Sequence, residues 1–122
     1  MNEHSDLALA IAHAEGWGNP DAIPTKAHNP GDLVLGDKGH GTLGAEGITV
    51  FDDDATGWAA LEHQLLLIKS GKSHVYTVSD TIQQMASKWT NTEVEHWAQN
   101  VCDALTRLGR TANPFTLLRD VL

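Results

Sequence analysis

A chain of 122 residues, 41% of them hydrophobic, is long enough for one domain with one core and too apolar for global disorder. Its formal net charge of −8 argues against a binder of nucleic acid or of anionic membrane, since such affinity comes largely from Lys and Arg. No stretch is long and apolar enough to cross a bilayer, so membrane insertion is not expected.

The opening residues, MNEHSDLALA, lack the positive start and apolar run of a secretory leader, which leaves the localisation open. Asn2 and Ser5 are candidate caps for a first helix over residues 5 to 15. Leu7, Ala10, Ile11 and Ala14 follow the i, i+3, i+4, i+7 spacing of one apolar stripe. Glu15 falls in the last turn, and Gly16 and Gly18 flank Trp17 as helix-stop signals. Residues 16 to 31 hold six Gly or Pro residues and read as a structured loop, punctuated by Asn19-Pro20 and Asn29-Pro30.

Leu33-Val34-Leu35 reads as a short strand. It is followed by GDKGHGTLGAEG, with five Gly in twelve residues, and by a second strand over Ile48 to Phe51. Such a hairpin is marginal alone and must lean on helices. Asp52 to Asp54 would cap a helix over residues 54 to 70, with Trp58, Leu61, Leu65 and Ile68 on its buried face and Leu66 and Leu67 widening it. Ser70-Gly71 ends it.

Ser79 or Asp80 starts the next helix, with Ile82, Met85, Ala86 and Trp89 on one stripe. Thr90-Asn91-Thr92-Glu93 has the capping-box pattern and opens another, with Val94, Trp97, Ala98, Val101, Leu105 and Leu108 inward. Gly109 stops it. Asn113-Pro114 would start a last short helix carrying Phe115, Leu117, Leu118 and Val121. The lone Cys102 lies on the apolar side of its helix, admits no intrachain disulfide and is expected to be buried and inert. The expected architecture is α+β and mainly α, with Trp58, Trp89 and Trp97 in the core.

Glu15 is the candidate for chemistry. A helix C-terminus carries partial negative charge and disfavours an anion there, and a neighbouring indole that excludes water acts in the same direction. Both raise the carboxyl's pKa, which is what a general acid at neutral pH needs. The plain alternative is a solvated glutamate of no consequence. His13, Glu15 and His28 have zinc-type donors, but no HExxH or other tight spacing accompanies them, so no metal and no cofactor are expected. No GxSxG elbow supports a serine nucleophile.

The segments IAHAEGWG, HNPGDL, GITVFDDDATGWAALEHQL, TIQQMASKW and NVCDALTRLG, in that order, resemble the lysozyme-like superfamily of peptidoglycan-cleaving glycosidases and lytic transglycosylases. The resemblance spans nearly the whole chain. It implies a helical bundle with a small β-hairpin lobe flanking a cleft, and a monomer acting on peptidoglycan glycan strands in the cell wall or periplasm. Glu15 matches the general acid. The turn at Asn29, Pro30 and Gly31 matches the start of the β-lobe, and Phe51 with Thr56 to Trp58 matches the hairpin-to-helix junction. Trp17, His28, Asn29 and Gly31 are the expected substrate contacts, with Trp17 either stacking on a sugar or sealing the pocket around Glu15.

Glycosidases usually use two carboxyls. The candidates for the second are Asp32 and Glu46. A lytic transglycosylase needs only one, since the sugar's own 6-hydroxyl accepts the bond and gives a 1,6-anhydro product. Water and that hydroxyl both remain open as acceptors. The competing readings are a catalytically silent module that binds a glycan or a protein with the same cleft, and a chitin-active relative.

Overall fold

The computed structural model describes residues 4–35 and 41–122. The expectation of Asn2 as a cap, and part of the Gly-rich turn after Leu35, lie outside the described residues. The described chain is mainly helical with one small antiparallel hairpin, an α+β architecture. In order it comprises α1 (Asp6–Ala14), α2 (Ile23–Lys26), β1 (Thr42–Leu43), β2 (Ile48–Thr49), α3 (Asp54–Lys69), α4 (Ile82–Trp89), α5 (Val94–Arg107) and a final 3-10 turn (Leu118–Asp120).

The core is built on α1 and α5, with α4 against α5 and α3 against α1. Leu7, Ile11, Leu61, Ile68, Ile82, Met85, Leu105 and Leu118 are wholly or almost wholly buried. Ala8, Ala10 and Ala12 on α1 and Ala98 on α5 are buried too, and their small side chains let the two helices come close. Ser5 caps α1 through Ala8 N–H, and its own N–H and hydroxyl both donate to the Glu62 carboxylate at 2.7 Å. Those bonds fix the start of α1 on α3. Arg110 Nε donates to Asp6 at 3.0 Å and ties the first turn to the segment after α5.

Three helices end in the same way. After α1, Trp17 N–H donates to Ala12 carbonyl and Gly16 N–H to His13 carbonyl, a Schellman closure that needs Gly16 at φ 84°. Gly71 and Gly109 close α3 and α5 with the same pair of bonds.

Several expected elements are corrected. Residues 33 to 35 form no strand: the Leu33 N–H donates to the Asn29 side-chain oxygen, and the Leu33 carbonyl is shared between the Asn29 amide and the Thr49 N–H. The hairpin instead pairs Thr42 with Thr49 and Leu43 with Ile48, across a turn at Gly44 to Gly47. Leu33 and Leu35 hydrogen-bond to it through Thr49. The capping box belongs to α4, where Thr81 and Gln84 exchange side-chain bonds, and not to Thr90 and Glu93. Glu93 is itself the residue before α5, at φ 47° and without a side-chain cap. No α-helix follows Asn113, because Pro114, Thr116 and the residues after it give their backbone bonds to the segment around Asp80 to Gln83. Phe115 is consequently 79% exposed. Leu66 points outward, since the buried face of α3 is the narrower row Gly57, Leu61, Leu65 and Ile68.

Candidate active site

Glu15 is the C-cap of α1, locked there by the Gly16 closure. Its carboxyl is pushed up from 4.5 to about 8. Burial is the largest cause, and the negative charges of Asp32 and then Glu46 add to it. The N–H groups of Trp97 and Trp89 act the other way. Trp97 Nε1 is buried and reaches no acceptor at full hydrogen-bonding geometry, yet its N–H lies near enough to the Glu15 carboxyl to favour the anion.

Asp32 is delivered by the turn after Asn29. It adopts φ 54°, a left-handed conformation that costs a non-glycine residue energy and is tolerated where the surroundings impose it. Its carboxyl is raised to about 6 by burial and then by Glu46, and its Oδ1 is buried without a partner. Glu46 sits in the exposed β1–β2 turn. The three acidic residues expected from the sequence, Glu15, Asp32 and Glu46, are thus electrostatically one group, although 14 to 31 residues separate them.

Two hollows flank the group. One, of about 130 Å³, is lined by Ala14, Glu15, Thr90, Thr92, Glu93, His96, Trp97 and Asn100. The other, of about 290 Å³, runs past Asp32, Leu33, Val34 and Leu35 to Gln64, Val75, Tyr76, Lys88 and Trp89. Trp89 lines the longer hollow and Trp97 the smaller one, their stacked rings 6.2 Å apart.

The remaining expected contacts lie elsewhere. Asn29 is fully buried; its amide donates to the Leu33 and Thr49 carbonyls, and its oxygen accepts from Leu33 N–H. Gly31 is buried against Leu61, and its carbonyl accepts from Trp89 Nε1 at 3.0 Å. Both build the wall that carries Asp32. His28 Nδ1 pairs with Asp54 at 2.7 Å, at the start of α3. Trp17 packs edge-on against Trp58, which stacks on His4 with 3.9 Å between centroids.

The indoles that act on Glu15 are therefore Trp97 and Trp89, which the sequence assigned to the core. Their stripe positions do bury one side of each ring. What periodicity does not reveal is that the N–H edges face a loop and a carboxyl from other elements.

Among the described residues, no group of three His, Cys, Asp or Glu is arranged to hold a metal ion. Comparison with protein-family models, curated proteins and solved structures finds no match to this chain. The functional reading rests on the geometry and chemistry of its own residues.

Proposed function

We propose that this chain cleaves the glycan strands of peptidoglycan on a lysozyme-like plan, with Glu15 as general acid. The observation that carries the reading is a half-buried carboxyl at the end of α1 whose pKa is raised to about 8, electrostatically coupled to a second carboxyl raised only to about 6. At neutral pH the first keeps its proton and the second is mostly ionised. Two carboxyls set apart in this way are the acid and the anion of a glycosidase.

Glu15 protonates the glycosidic oxygen, and the bond from that oxygen to the sugar's anomeric carbon breaks. The Asp32 anion faces the positive charge left on the sugar ring. A water, deprotonated by the Glu15 carboxylate, then completes hydrolysis and restores the acid. Glu46 adds negative potential from the hairpin turn. The polar hollow beside Glu15 and the longer one beside Asp32 offer room for sugar units on the two sides of the scissile bond.

The test is digestion of purified sacculi followed by mass spectrometry. Glu15→Gln is expected to remove all new chain ends while leaving the fold intact. Hydrated reducing ends support the two-carboxyl scheme. Products lighter by one water would assign the 6-hydroxyl as acceptor in place of water. Binding to glycan fragments with no new ends would reduce the chain to a silent module, and cleavage of chitin oligomers alone would change the substrate.

A further inference from the structure

A buried indole N–H without an acceptor costs about 1–3 kcal/mol, so its placement asks for a partner. Trp97 is 5% exposed, its Nε1 is orphaned, and it lines the same hollow as Glu15. It stands one turn into α5, the helix packed most extensively on α1, whose C-cap is Glu15. We propose that Trp97 is the positioning residue for Glu15: its N–H is held in reserve for the carboxylate that exists only after the proton has been given up. This inference rests on Glu15 being the acid of the proposed reaction.

The same side chain acts in two opposite ways. Its ring excludes water and so favours the neutral acid before the reaction. Its N–H edge favours the anion formed during it. A donor that is unengaged in the ground state and engaged once charge has moved is what lowers a barrier without tightening the resting state. Trp89 cannot serve equally, because its N–H is already committed to the Gly31 carbonyl.

The other groups that bear on Glu15 are Asp32 and Glu46 from the loop and hairpin. Glu93 and His96, at the start of α5, line the same hollow. Asp32 titrates nearer pH 6 and separates from Glu15 on that ground.

Two measurements that require no substrate test the inference. In the unmodified protein, the Trp97 indole N–H resonance is expected to move downfield with a midpoint near pH 8, matching the Glu15 carboxyl carbon. Glu15→Gln is expected to abolish that movement. A Trp97 indole that stays still through the Glu15 titration would overturn the assignment. Trp97→Phe, which keeps an apolar ring but removes the donor, should raise the Glu15 midpoint by about 0.5–1 pH unit. Trp97→Ala, which admits water, should lower it.

On sacculi, Trp97→Phe is expected to lose about tenfold in kcat with little change in KM. Loss confined to KM would also overturn it. Inactivity of the unmodified chain on sacculi would remove the glycan reading, while a coupled indole titration would still establish Trp97 as the partner of Glu15.

Discussion

Trp89 Nε1 donates to the Gly31 carbonyl at 3.0 Å, across 58 residues of sequence. This bond joins the end of α4 to the loop that presents Asp32, so the bundle and the acidic loop are held in one register. Trp89→Phe keeps a ring against Tyr76 and Trp97 and removes only the donor. The expected cost is about 1 kcal/mol in urea unfolding, with faster hydrogen exchange confined to residues 31 to 33. Unchanged exchange in that loop would show that other contacts hold it.

Activity on peptidoglycan should follow a bell in pH. Asp32 must be ionised, so activity falls below about pH 6, and Glu15 must be protonated, so it falls above about pH 8. The two limbs are linked, since the Asp32 charge is one of the causes that raise Glu15. Asp32→Asn removes one of the charges that lift Glu15, and the alkaline limb should move to lower pH. Rates measured from pH 5 to 10 decide it.

Glu15 should also make the folded protein less stable at high pH. Its unfolded carboxyl ionises above about 4.5, whereas the folded one keeps its proton to about 8. Folding therefore takes up a proton between those values, and stability falls as pH rises through that window. The cost is absent at pH 4 and complete by pH 9, on the order of a few kcal/mol. Glu15→Gln should thus leave the melting temperature unchanged at pH 4 and raise it at pH 9. Equal melting at both pH values would mean that Glu15 is not raised.

Gly57 is where the His28 carbonyl rests on α3. A Cβ there would fall on that carbonyl's oxygen and against Pro30 Cδ. Gly57→Ala should cost at least about 2 kcal/mol, because backbone cannot yield as a side chain can. Gly31→Ala is the milder case, since its Cβ would meet the Leu61 Cδ1 methyl at 2.8 Å, which can shift. Chemical denaturation of the two variants should rank them in that order.

The longer helices and several of their ends were legible because their signals are local. Ser5, Asp53, Gly16, Gly71 and Gly109 act within one turn of where they stand in the sequence, and each takes its expected role. Glu15, Asp32 and Glu46 could be named as candidates from the sequence, but the electrostatic grouping of the three comes from the fold. Two kinds of feature were not legible.

The first is competition for backbone bonds. Leu33 has strand-like neighbours, yet Asn29 claims its N–H and shares its carbonyl with Thr49, and the tail after Asn113 gives to the α4 entrance the bonds a helix would have kept for itself. The second is the difference between the two edges of a large side chain. Spacing on α4 and α5 reveals that Trp89 and Trp97 point inward, but not that the Trp89 N–H meets the Gly31 carbonyl while the Trp97 N–H is left without an acceptor. Trp17, the indole adjacent to Glu15 in sequence, turns instead to Trp58.

Cys102 is 1% exposed, and burial, followed by the charge of Asp103, pushes its thiol up to about 11. A thiol so placed ignores alkylating reagents while the chain is folded and reacts once α5 comes away from α1. Nature has supplied a clock: the rate at which reagent marks this single sulfur reports how often α5 comes away from α1, with no dye, label or added residue.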